Sequence, residues 1–241
     1  MTAALLFFAA VLGGAIASLA GFGIGSILTP LLALSVGTKQ AVVAVSIPHL
    51  VATSIRFWSL RHKIDRHLLA NFGIASAAGG LLGAWLGSRF SSPVLAYILG
   101  GLLVFAGFMG LTGLSKKMRF GKKIAWLGGA LSGLLGGLVG NQGGVRSAAM
   151  LGFNLDPKTF VATATAIALI VDGARMPIYF FTSPETVHRL GVSIAIMTAG
   201  VTIGTLAGGR VLSRIPENYF RRVVSLLIFA LGIVMLSSVA R

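Results

Sequence analysis

The chain contains no cysteine, which excludes disulfides, thiolate metal ligands and thiol nucleophiles. It has only five acidic residues and four histidines among 241, and they are too scattered to suggest a metal cluster or a pair of facing catalytic acids. Charged residues of either sign make up 10% of the chain, less than half of the roughly 25% typical of soluble domains. A soluble globule of this size is thereby excluded.

Apolar side chains and glycine fill the space left by charge. The chain is 56% hydrophobic, with 33 Gly and a mean hydropathy of +0.92. The glycines have no three-residue period, so the chain is not collagen-like, and the apolar content is too high for disorder. An integral membrane protein in a lipid bilayer remains. The net charge of +15 would point to nucleic acid in a soluble protein. Here the basic residues sit in short segments between apolar runs, with no basic face interleaved with aromatics, so topology explains the excess and no nucleic-acid partner is expected. The first apolar stretch lacks a basic leader and a small-residue cleavage site, so it is expected to stay in the mature fold.

Eight apolar runs follow one another at 3–36, 41–59, 68–88, 93–114, 124–155, 158–181, 190–209 and 219–239. Six are close to the roughly 20 residues that a spanning helix needs. The first and fifth are not. As one helix, residues 3–36 would reach about 50 Å against a hydrocarbon core of about 30 Å. Each long run is interrupted by glycines, "AGFGIG" (Ala20 to Gly25) and "GNQGG" (Gly140 to Gly144). A break or re-entrant turn is expected there. Irregular backbone at membrane depth is tolerated only where protein or a wet cavity surrounds it, so the breaks mark the place to look for function.

The two halves resemble each other. At an offset of 119, Gly21, Gly25, Lys39 and Arg56 fall on Gly140, Gly144, Lys158 and Arg175; at 121, Gly79, Gly83, Gly87 and Arg89 fall on Gly200, Gly204, Gly208 and Arg210. The chain therefore reads as one transmembrane domain, 1–241, with a first repeat over about 1–115, a basic linker at 116–123 and a second repeat over about 124–241. If all eight runs cross, 10 basic residues fall on one side and 7 on the other. If the two broken segments enter and return on one side, the split is 13 to 4, which suits the positive-inside rule better and places the linker in the cytoplasm. That arrangement leaves three full crossings per repeat, an odd number, so the copies are expected to be inverted. The expected fold is all-α and polytopic: two inverted repeats, each with one Gly-broken, re-entrant helix and three transmembrane helices.

With "GGAIASLAGFGIGSILTPLL", "GGALSGLLGGLVGNQGGVRSAAML" and glycine-rich third and seventh spans, the chain resembles the sulfite exporter TauE/SafE family of membrane permeases along nearly its whole length. The resemblance implies transport of sulfite, sulfoacetate or related sulfur-containing anions across the bacterial inner membrane, usually outward and driven by an ion gradient, proton or sodium. One departure is that Phe22 and Gly23 stand where the second copy has Asn141 and Gln142, which makes the halves of the site chemically unequal.

An anion inside a low-dielectric slab must be compensated by positive charge or aligned N–H groups. Helices starting near Ile24 and Gly143 would offer both N–H groups and the positive dipole end. The candidate substrate-binding residues are thus Phe22, Gly23 and Gly25 in the first break and Asn141, Gln142, Gly143 and Gly144 in the second. Arg146 joins them, one turn on, where the first copy has apolar Ile27; its fork can hold two oxygens of a sulfite, sulfonate or carboxylate. The alternatives for Arg146 are snorkelling to an interface or pairing with a carboxylate elsewhere in the chain. The matched pair Arg56 and Arg175 are further candidates, against an interfacial anchor beside Trp58 for Arg56. Asp172, three residues before Arg175, is expected to pair with it or to carry a coupling proton, and His49, after Pro48, to titrate, gate or simply pack. Ser26, Thr29 and Ser147 read as bonding their own helix backbones, and the spaced glycines of the third and seventh spans as packing positions.

No nucleophile and base stand at a recognisable spacing, so an enzyme is not expected, nor any cofactor or metal. The expected activity is secondary-active export by alternating access. The alternative is a passive small-anion channel. A homodimer is an open option.

Overall fold

The computed structural model describes residues 2–114, 122–150, 153, 155–212 and 217–239, and the regular structure among them is helical. In chain order the helices are α1 (Ala3–Ala20), α2 (Ile24–Val36), α3 (Thr38–Leu60), α4 (Arg66–Arg89), α5 (Ser92–Thr112), α6 (Lys122–Val139), α7 (Gly143–Met150), α8 (Pro157–Thr182), α9 (Pro184–Arg189), α10 (Gly191–Leu212) and α11 (Glu217–Val239). Among the described residues, α1, α3, α4, α5, α8 and α10 are long and apolar enough to cross a membrane. The protein is an all-α polytopic membrane protein. Residues 116–121 of the basic linker lie outside the described residues, and Lys122 and Lys123, counted with it, open α6.

Large apolar side chains face outward all round, among them Phe8, Trp58, Ile74 and Phe181, as lipid contact requires. Arg61 lies over the Trp58 ring at 4.4 Å and Arg89 over Trp85 at 5.2 Å, pairs of the kind that sit at the bilayer interface. The anchor beside Trp58 is thus Arg61. Arg56 is buried, 4% exposed, because its position on α3 faces the helix bundle rather than the lipid.

Both long runs break where the glycines stand, and they break in the same way. Gly21 and Gly140 close α1 and α6 with φ of 74° and 71°, a left-handed geometry that glycine adopts at little cost. Their N–H groups donate to Ala17 and Gly136 carbonyls, each at 3.0 Å. The next helices start with Ile27 N–H donating to the Gly23 carbonyl and Arg146 N–H to that of Gln142. Each of these bonds maps onto its counterpart at the offset of 119. The chain then doubles back beside the helix it has left. A Cβ on Gly23 would press on Ile16, a Cβ on Gly13 would touch Ile24, and in the second copy Ser132 Oγ donates to the Gln142 carbonyl at 3.1 Å.

The copies interlock through glycine. Gly79, Gly83 and Gly87 of α4 lie against residues 130–138 of α6, while Gly133 and Gly137 of α6 lie against Ser76 and Gly80. On the other flank Gly200, Gly204 and Gly208 of α10 meet residues 7–15 of α1. In both pairs residue numbers rise together, so the helices are parallel and touch backbone to backbone. α5 and α11 meet the other way: Gly100, Gly107 and Gly110 lie against Leu236, Phe229 and Ser225, an antiparallel packing. The spaced glycines are packing positions, as their spacing predicted. α3 and α8 cross between these layers, with Asp172 of α8 beside His49 of α3.

Candidate functional site

The two breaks meet face to face. A Cβ on Gly25 would overlap the Gly140 carbonyl oxygen, and one on Gly143 would overlap Phe22 Cβ, so only glycine lets the two segments approach this closely. Between them lies a small cavity lined by Phe22, Gly23, Gly25, Ser26, His49, Gly140, Asn141, Gln142, Gly143 and Arg146. Eight residues singled out from the sequence are in that wall: Phe22, Gly23, Gly25, His49, Asn141, Gln142, Gly143 and Arg146. Gly144 is not; its Cβ position faces Ala106 of α5 at 3.5 Å. Arg56, Asp172 and Arg175 stand behind the wall, linked to it through His49.

Arg146 is 1% exposed. It does not snorkel. It reaches across the cavity to the first break, where Nη2 donates to the Gly21 carbonyl at 3.0 Å and so satisfies an oxygen left over at the α1 C-terminus. Its Nε and Nη1 are buried without a partner, as are both side-chain polar atoms of Gln142. Buried donors are normally bonded, so donors left without a protein partner at a cavity wall call for an explanation, and a bound anion supplies one. Asn141 is fixed by Ser26, whose Oγ donates to Oδ1 at 3.1 Å; with its oxygen so engaged, the Asn141 amide presents its NH2 as a donor.

Behind the wall runs a polar chain between α3 and α8. His49 Nδ1 lies 2.7 Å from Asp172 Oδ2, and Asp172 Oδ1 accepts from Arg175 Nε at 3.1 Å and lies 2.8 Å from Nη2. When Nδ1–H is given to the carboxylate, Nε2 is the ring nitrogen of His49 not held by Asp172. Arg175 Nη1 donates to the Gly136 carbonyl at 2.6 Å, and Tyr179 OH donates to that of Gly137, so Arg175 and Tyr179 together hold the end of α6. On the α3 side Arg56 Nη2 donates to Thr53 Oγ1 at 3.2 Å, and Thr53 Oγ1 is 3.4 Å from His49 Nδ1. The repeat offset places Thr53 on Asp172, so the first copy has a hydroxyl where the second has a carboxylate.

Asp172 and Arg175 are fully buried, and breaking such a pair strands a charge. Asp172→Asn is expected to destabilise the protein by about 3–5 kcal/mol, read as a fall in thermal unfolding temperature in detergent. Adding Arg175→Met to the same protein should restore much of the loss, because no lone charge remains. No recovery in the double variant would mean that the Arg175 bond to Gly136 at the end of α6, and not its pairing with Asp172, dominates its contribution.

Sequence reasoning missed Ser26, Thr53 and Tyr179. Ser26 bonds Asn141 across the copies rather than its own helix, and Thr29 Oγ1 and Ser147 Oγ are buried without a partner; the expectation of backbone bonding fails for these three. Thr53 carried a signal, its repeat equivalence to Asp172. Tyr179 carried none beyond lying one turn from Arg175.

No curated protein and no solved structure matches the chain. Residues 6–235 of 241 match the family model described as sulfite exporter TauE/SafE, and paired glycine breaks around a buried arginine are a fitting centre for such a permease: the chain belongs to the sulfite exporter TauE/SafE family.

Proposed function

We propose that this membrane transporter moves sulfite or related organosulfur anions such as sulfoacetate by secondary-active export, holding the anion between the two glycine breaks. The observation that carries the reading is Arg146, 1% exposed at the cavity wall with Nε and Nη1 unpaired. A bound sulfonate or sulfite oxygen pair suits that free edge of the guanidinium. Asn141 and Gln142 supply amide donors, and Gly23, Gly25 and Gly143 keep the backbone close. The N-termini of α2 and α7 add their dipoles.

Alternating access is supported by the packing. α1 is parallel to α10, α4 is parallel to α6, and α5 is antiparallel to α11. If the α4–α5 and α10–α11 connections are hairpins, α6 runs opposite to its counterpart α1, which makes the repeats inverted. Each copy then brings one break to a shared centre, and the site faces either side as the packing around it changes. His49 and Asp172 are the groups for coupling or gating, with a proton or sodium ion as the driving ion. The basic loops support a cytoplasmic position for the linker at 116–123, and membership of the sulfite exporter family supports a bacterial inner membrane.

The test is flux in proteoliposomes. Sulfite or sulfoacetate efflux should saturate with concentration and respond to an imposed proton or sodium gradient. Flux that follows voltage alone and does not saturate would make the protein a passive channel, and no flux of any sulfur anion would end the proposal.

A further inference from the structure

The five acids of the chain are all accounted for. Asp65 and Asp156 cap the N-termini of α4 and α8, Glu185 sits in the first turn of α9, and Glu217 opens α11. Among the described residues only Asp172 lies inside a span, and it is shared by His49 and Arg175. Among the described residues the ion pairs at the site are those two contacts. Arg175 is therefore balanced, while Arg56 and Arg146 are not.

Both are buried, at 4% and 1% exposure. Each has Nε and Nη1 unbonded, and the other partner of each is neutral: Thr53 Oγ1 for Arg56, the Gly21 carbonyl for Arg146. Arg56 is tied to the cavity wall through Thr53 and His49. The two arginines come from different copies, one from each repeat. A centre with two unmatched positive charges in a low-dielectric surround is strongly unfavourable without anionic charge of equal size.

We propose that the site is built for a doubly charged oxyanion, and that Arg56 is the residue that sets this valence preference while Arg146 provides the direct contact. This rests on the anion site proposed above and adds the charge state of its substrate. A monoanion would leave one buried cation unbalanced; a dianion such as sulfite, sulfate or a sulfonate carrying a carboxylate leaves none. The other charged or titratable groups around the centre are His49, Asp172, Arg175 and Tyr179. Asp172 and Arg175 cancel, and His49, when neutral, leaves the excess at two.

Calorimetric titration of the purified full-length protein in detergent tests this with two probes of similar shape, sulfate and methanesulfonate. Sulfate should bind at least about tenfold more tightly, the scale of one further charge interaction across a partly screened interior. Arg56→Gln should shrink the gap to about threefold or less by weakening sulfate, whereas Arg56→Lys should keep it, because the charge and not the fork matters at this position. Sulfite affinity should rise from mildly acidic to mildly alkaline buffer as the anion loses its second proton. Equal affinity for the two probes in the unaltered protein would overturn the valence proposal and leave the anion site standing, provided that Arg146→Ala abolishes both. Equal weakening of both probes by Arg56→Gln, or failure of Arg56→Lys to restore the gap, would overturn the role given to Arg56. Binding of neither probe, with no effect of Arg146→Ala on flux, would bring down the site reading itself.

Discussion

Arg146→Ala is expected to lower sulfur-anion flux by about a hundredfold or more, the scale on which truncating one partner of a buried charge contact acts. Among the described residues Arg146 is the one guanidinium in the cavity wall, and two of its nitrogens have no protein partner. The same substitution frees the Gly21 carbonyl at the end of α1, so some loss of stability should accompany the loss of transport. Arg146→Lys separates the two effects. Lysine keeps the charge and can still reach a carbonyl, but it cannot grip two oxygens at once. It should therefore fold nearly as well as the parent protein and transport about tenfold more slowly. Flux assays in liposomes, normalised to folded protein by size-exclusion profile, check both variants; normal flux in Arg146→Ala would remove the arginine from the site.

The second large effect concerns stability. Gly133→Leu should prevent folded protein from accumulating in the membrane, with a cost above about 5 kcal/mol, comparable to the whole stability of many domains. A Cβ on Gly133 would already overlap the Ser76 carbonyl oxygen of α4, and one on Gly137 would overlap that of Gly80. The obstacle is backbone, which cannot turn aside as a side chain can. On an isolated helix the exchange of glycine for alanine is stabilising by up to about 1 kcal/mol, so even Gly133→Ala, if destabilising, reveals the contact. Gly101 is the control: nothing lies within 4 Å of its Cβ position, and Gly101→Ala should be neutral or stabilising. Thermal unfolding of the purified variants reads the difference, and a Gly133→Leu protein as stable as its parent would refute the α4–α6 packing.

Much of this fold was legible in the sequence because glycine and hydropathy carry it. Runs of about 20 apolar residues mark spans irrespective of what they touch, and an overlong run with a glycine cluster has to break. The 119-residue offset located Gly21 and Gly140, and the structure gives both the same left-handed geometry. The cavity was legible in part for the same reason, since breaks in matched positions converge. What could not be read were contacts between residues far apart in the chain. Nothing in the neighbourhood of Arg146 indicates that it ends on Gly21, 125 residues earlier, or that Ser26 would choose Asn141 over its own helix. Arg56 was read against an anchoring role because Trp58 is close in sequence, but helix periodicity turns Arg56 inward and leaves Arg61 to stack on the ring.

The interlocked glycine pairs cross the boundary between the two repeats read from the sequence. α1 is joined to α10 and α4 to α6 by contacts between backbones, and each joined pair takes one helix from each copy. A movement that opens the cavity while leaving those joints intact cannot slide one repeat past the other as a whole. Under the alternating access proposed above, such a movement would carry a mixed body, half from each copy, against the α2, α3, α7 and α8 segments that hold the site. The same joints lead to the expectation that the halves, made as two separate polypeptides, associate when mixed, since either alone would expose glycine grooves that the other fills.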